Sequence, residues 1–152
     1  MRLSSATAAA LTAELDALSR HGIDLDDQMS HAAEQGDNSE NVDVWVVMAE
    51  RRLMNDRTGE ISRALSAHAN EPAPNGTTVR PATLLTLSFG GSPDEEMIYG
   101  SIEEGPVHGH EVISPDSPLG QGLLNVAAGQ IVSVNIGGRS IEVTVVGIEP
   151  LP

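Results

Sequence analysis

From residue 6 to 34 the apolar positions advance by steps of four and three. Leu11, Leu15 and Leu18 are followed by Leu25 and Met29, and Gly22 takes the seam position between them. This is an a/d seam, which predicts a helix packed along one partner. Gly22 weakens a helix by about 1 kcal/mol relative to alanine, so a bend or fray is expected there. Val44, Val47, Met54, Thr58, Ile61 and Leu65 repeat the pattern over 42–69, with Arg51 at one seam position. The valines at 42, 44, 46 and 47 favour a strand locally. No neighbouring strand is predicted to pair with them, so the helix is the expectation. Between the two runs lies "GDNSEN" (36–41), a glycine stop followed by two carboxylates three residues apart. Two seamed helices joined by so short a connection predict an antiparallel helical hairpin. Thirty helical residues span ~45 Å, so the hairpin is expected to protrude.

Beyond residue 70 the period changes. "NEPAPNGTT" (70–78) has two prolines, a glycine and no periodicity, as a linker does. Alternation with period two then marks strands over 82–89, 95–102, 130–136 and 140–148, the last two joined at Gly137-Gly138. "SPLGQGLLNV" is compatible with one short helix. The expected class is α+β, with residues 1–70 a coiled-coil hairpin, 71–78 a linker and 79–152 a small α+β domain with an antiparallel sheet.

Charge narrows the range of functions. Net charge is −14 and every basic residue is arginine. Such a surface repels a phosphate backbone, which argues against autonomous nucleic-acid binding and favours a basic protein partner. Three aromatics, Trp45, Phe89 and Tyr99, leave little for stacking bases or lining an aromatic pocket. With no cysteine, neither disulfides nor thiolate metal sites are available. No stretch has the pattern of a signal peptide or a membrane span, so a cytoplasmic protein is expected.

"ISPDSPLGQGLL" (113–124), "AAGQIVSV" and the closing "IEVTVVGIEP" resemble the C-terminal signature of the bacterial Gre transcript-cleavage factors. "ELDAL" (14–18), "GDNSEN" and "RTGEISRAL" (57–65) stand in the family's order, so the resemblance covers almost the whole chain. It implies a coiled-coil hairpin followed by an FKBP-like domain that docks on RNA polymerase at its secondary channel. By that resemblance Ser117, Pro118, Leu119 and Gly120 belong to the docking region. Asp37 and Glu40, with Asn41 in support, stand at the tip. There they would help the polymerase hold its second Mg²⁺ while it hydrolyses backtracked RNA in its own active site. The factor is then no enzyme itself, needs no cofactor in isolation, meets the nascent RNA 3′ end only indirectly and acts as a monomer. Two-metal phosphoryl chemistry needs oxygen ligands of this kind.

Other readings of the same residues remain open. Asp37 and Glu40 have the spacing of a capping box, with Asp37 as N-cap and Glu40 at N3, and a cap is compatible with a catalytic role. A calcium loop is rejected for want of its glycine and distal glutamate. Trp45 is expected to pack between the helices, and Arg51 and Arg52 to lie on a solvated face. Residues 21–50 contain no lysine or arginine, a departure from family members whose basic patch grips RNA. An inhibitor that occupies the channel without promoting cleavage is therefore the alternative. An interaction module unrelated to transcription is a further one. His108 and His110 share a face if their segment is extended, but no third ligand is evident for a metal.

Overall fold

The computed structural model describes residues 1–34 and 42–152. They divide into two compact units, residues 10–65 and residues 1–9 with 66–152. The division falls a few residues from the expected boundary at 70, because the chain's start and the end of the second helix are tied into the sheet unit. Arg2 donates to the Glu71 carbonyl at 3.0 Å, Leu3 N–H to His68 Nδ1 at 3.1 Å, and Ala6 N–H to the Pro152 carbonyl at 3.2 Å.

Helix α1 spans Ser5–Glu34 and helix α2 spans Val42–Asn70. The seam read from the sequence is the buried face of both. Leu11, Leu25, Val47, Met54 and Ile61 are buried, and Leu15, Leu18, Met29, Val44, Thr58 and Leu65 are half-buried. Within residues 10–65, Arg57 binds Glu14 through two hydrogen bonds of 2.7 and 3.0 Å, His21 lies 3.5 Å from Glu50, and Arg51 pairs with Asp26. Low numbers on α1 meet high numbers on α2, so the helices are antiparallel. The Arg57 guanidinium holds the Glu14 carboxyl below its ordinary range, chiefly through those hydrogen bonds.

The helix does not break at Gly22. A Cβ there would stand 2.9 Å from Met54 Cε, and the Gly22 carbonyl accepts from Arg51 Nη1 at 2.9 Å. The missing side chain makes room for Met54 at the seam, and that packing offsets the helix-propensity cost. Tertiary context likewise overrides the strand preference of the valines, because Val47 enters a cluster with Leu25 and Met54.

The other unit is built on one five-stranded sheet in the order β3-β2-β1-β5-β4. Its strands are β1 (Thr83–Phe89), β2 (Glu95–Tyr99), β3 (Val112–Ile113), β4 (Ile131–Ile136) and β5 (Arg139–Pro150). All ladders are antiparallel except the two-residue pairing of β2 with β3. Gly137 and Gly138, with φ of 59° and 79°, make the hairpin turn that requires positive φ at both positions. Two short helices, α3 (Glu104–His108) and α4 (Pro118–Leu123), complete the unit. Leu85, Leu87, Tyr99, Leu123, Val143 and Val145 are central members of its core. Together the units give the α+β class expected.

Candidate functional site

Three groups of residues bear on function. The first is the carboxylate pair. Asp37 and Glu40, with Asn41, lie outside the described residues. What is described is their frame, since α1 ends at Glu34 and α2 begins at Val42.

The second is the segment 114–124. Ser117 is the N-cap of α4, with extended φ and ψ of −71° and 158°, and Pro118 opens the helix, where a missing N–H costs nothing. Ser117 Oγ accepts from Gly120 N–H at 3.0 Å and donates to the Ser114 carbonyl at 2.7 Å. The Tyr99 hydroxyl donates to the Gly120 carbonyl at 2.8 Å. Leu119 is half-buried against the core and Pro118 is exposed. A Cβ on Gly120 would sit 1.9 Å from the Ser114 carbonyl oxygen, so only glycine lets the helix lie against that loop. Three of the four residues singled out for docking, Ser117, Leu119 and Gly120, thus hold the fold together locally. Pro118 is the most exposed of the four.

Burial pushes the Tyr99 hydroxyl up to about 12, with the Asp116 carboxylate adding to the effect. Its neutral form is the one the fold favours. The resulting stability is complete below the ordinary tyrosine value near 10 and is lost as pH rises through 12. Tyr99 is the chain's one tyrosine, so a spectrophotometric alkaline titration reads it alone. The expected midpoint is about 12 in the native protein and about 10 in denaturant. A native midpoint near 10 would mean that Tyr99 is not held against Gly120.

The third group was not found from the sequence. Glu104 on α3 is fully buried and accepts three hydrogen bonds. Ser4 N–H donates at 2.7 Å, Ser4 Oγ at 2.7 Å and Thr7 Oγ1 at 2.6 Å. Ser4 Oγ in turn accepts from Thr7 N–H at 3.1 Å, as an N-cap does for α1. In a capping box the carboxylate on the N-cap N–H comes from the helix's own third residue. Here that residue is Thr7, and Glu104, a hundred positions away, supplies the carboxylate instead. No acidic residue stands in the first turn of α1, so Glu104 also provides the negative charge that a helix N-terminus favours.

His108 closes the same cluster. Its Nε2 lies 3.0 Å from Ser4 Oγ and 3.2 Å from Glu104 Oε2. With the Ser4 hydroxyl donating to Glu104, Nε2–H is the donor. The geometry is not that of a nucleophile–base–acid relay, because one ring nitrogen meets both partners and Ser4 is buried. The extended segment that would put His108 and His110 on one face is not present. His108 ends α3, and Gly109 follows it in the left-handed region at φ 73°. Among the described residues no group of three or more His, Cys, Asp or Glu side chains is placed to hold a metal. Trp45 corrects the expectation that it packs between the helices, since the residue is 62% exposed.

An antiparallel two-helix unit and a small α+β unit whose 114–124 loop is locked by Gly120 define the class of protein. Residues 77–150 match the family model described as transcription elongation factor, GreA/GreB, C-terminal. The chain is 28% identical over 143 residues to the transcription elongation factor GreA of Saccharopolyspora erythraea, covering 92% of this chain and 88% of that one. The GreA proteins of Mycobacterium bovis and Mycobacterium tuberculosis are 28% identical over 145 residues with the same coverage. GreA factor homolog 1 of Thermus thermophilus aligns over 98% of each chain at 18% identity and a TM-score of 0.45, a superposition too loose to argue from. The chain is thus similar to GreA factors over most of its length, with the family's C-terminal model matched by residues 77–150.

Proposed function

We propose that this chain is a transcription elongation factor that binds RNA polymerase at its secondary channel and stimulates cleavage of backtracked RNA. The observation that carries this reading is that GreA similarity extends over 92% of the chain and so takes in the paired helices as well as the C-terminal unit. Asp37 and Glu40 would be presented to the polymerase's Mg²⁺, with Asn41 supporting them. Two carboxylates are the oxygen donors that this ion prefers. Bound there, the ion would stabilise charge on the attacking and leaving oxygens. The chain contributes ligands and position, and the hydrolysis belongs to the polymerase.

A channel-occupying inhibitor is the second reading. It is favoured by the absence of lysine and arginine from residues 21–50, which leaves the neighbourhood of the carboxylates without a cation for RNA.

A stalled, backtracked elongation complex with labelled RNA separates the two. The expected result is shortened RNA with the wild type, reduced at least about tenfold by Asp37→Ala and by Glu40→Ala, with polymerase binding retained. Slowed extension without cleavage would establish the inhibitor instead. Absence of polymerase binding would remove both readings.

A further inference from the structure

The edge strand β4 leaves half of its backbone unpaired. It comes last in the sheet order, and no strand lies beyond it among the described residues. Its register with β5 carries on to Gln130, whose carbonyl accepts from Val145 N–H at 3.0 Å. Inward and outward residues alternate in an antiparallel ladder. Val132, Val134 and Ile136 therefore bond to β5, and the N–H and C=O of Ile131, Ser133 and Asn135 point away from the sheet. All three of these residues are exposed, Ile131 at 63%. Helix α4 covers the strand's core face and not its edge, since a Cβ on Gly122 would stand 2.8 Å from Val134 Cγ2.

Such edges are ordinarily blunted by charge, proline, a bulge or short length. The opposite edge, β3, has only two residues. β4 has six, pairs without a register shift and contains neither a charged residue nor proline. No charged residue stands anywhere between Asp116 and Arg139.

We propose that β4 pairs antiparallel with β4 of a second copy of this chain, joining two sheets about a twofold axis at Ser133. The spacing is self-complementary. With Ser133 opposite itself, Ile131 falls opposite Asn135 of the copy, so outward residues meet only outward residues. Each such pair exchanges two backbone hydrogen bonds. Charge selects the occupant. Chains of net charge −14 repel, and this uncharged strand is where two of them can approach. Glu142, opposite Ser133 on β5, would lie about 14 Å from its copy, three strand spacings away and beyond the screening length of about 8 Å. A basic or acidic segment finds no opposite charge on β4, and a nucleic acid finds no cation there. A six-residue strand buries far less than a standard interface, so the pairing is weak and dilute protein is monomeric. This inference does not depend on the polymerase reading.

Sedimentation equilibrium of the full chain from about 10 µM to about 1 mM should show a mass rising reversibly from 15.9 kDa toward twice that. Over the same range, amide exchange at Ile131, Ser133 and Asn135 should slow severalfold, and that at Val132 and Val134 should not change. Ser133→Pro removes the central outward N–H without removing a bond of its own ladder, and Ser133→Glu sets like charges opposite each other. Each should weaken association about tenfold or more, whereas Ser133→Thr, uncharged and β-branched, should retain it. Constant mass throughout, association without slowing at the three amides, or association that both Ser133→Pro and Ser133→Glu leave intact would overturn the proposal. So would protection of those amides only on adding a threonine–valine hexapeptide, since a foreign strand would then fit where a copy does not.

Discussion

Replacing Gly120 by alanine is expected to prevent the sheet unit from packing. The added Cβ would lie 1.9 Å from the Ser114 carbonyl oxygen, 2.8 Å from the Ser114 carbonyl carbon and 2.9 Å from Pro115 Cα. Those are backbone atoms, so no rotamer change relieves the overlap. Either α4 moves away or the loop from 114 to 117 does. A shift of the loop breaks the Gly120 N–H bond to Ser117 Oγ, and withdrawal of α4 breaks the Tyr99 hydroxyl bond to the Gly120 carbonyl. That second loss, where α4 withdraws, strands the only polar atom of a fully buried tyrosine side chain. A cost above about 4 kcal/mol follows, in the range reserved for overpacking combined with a lost buried network. Thermal unfolding followed through Tyr99 absorbance measures it, together with the alkaline midpoint, which should fall from about 12 toward 10. Gly59→Ala is the control. Its nearest neighbour would be the flexible end of Arg63 at 3.4 Å, and a mid-helix alanine there should add up to about 1 kcal/mol. Stability of Gly120→Ala equal to that of the wild type would show that the 114–120 packing is wrong.

This result also limits what Gly120 can say about docking. A variant that disrupts the unit loses any partner for trivial reasons. Pro118, exposed at the first position of α4, and the outer edge of Leu119 are the places to separate recognition from folding.

The same contrast shows what the sequence made legible. The helices were readable because burial along a two-helix seam is periodic. Every seam position from Leu11 to Met29, and from Val44 to Leu65, is buried or half-buried. Four of the five strands were readable for the same reason with period two, and the two-residue β3 is too short to show a period. Glu104 was not, because its three donors arrive from residues 4 and 7, a hundred positions away, and no local pattern marks a carboxylate that serves a distant helix. The α3 segment holding it is a five-residue helix containing Gly105 and Pro106, which leaves no periodicity to detect. Trp45 faces outward because phase along the helix, and not aromatic size, decides burial there. By the seam's own register the buried positions are Val44 and Val47, and Trp45 falls between them on the outer side. For the carboxylate pair the sequence supplies spacing and charge, and the described residues supply only the helix ends on either side.

Removal of the Glu104 carboxylate should be the most damaging change that leaves the backbone unstrained. In Glu104→Ala three buried donors, the Ser4 amide, the Ser4 hydroxyl and the Thr7 hydroxyl, lose their acceptor. Ser4 and Thr7 are themselves buried, so water cannot replace it without opening the site. Unsatisfied buried donors cost about 1–3 kcal/mol each, and a broken buried network about 3–5 kcal/mol in total. Glu104→Gln keeps the shape and one acceptor oxygen. The two hydroxyls can turn to accept from the new amide, so about 1–2 kcal/mol is expected. The loss should be local as well as global. Hydrogen exchange at the amides of Thr7 and Ala8, bonded to Ser4 Oγ and the Ser4 carbonyl, should accelerate before the core strands respond. Trp45 emission, which samples residues 10–65, should change least in its starting value. The decisive comparison is Ser4→Ala/Thr7→Ala placed on Glu104→Ala. If the carboxylate acts through those donors, the combined cost falls well short of the sum of the separate ones. Strict additivity would mean that Glu104 stabilises the unit by some other route.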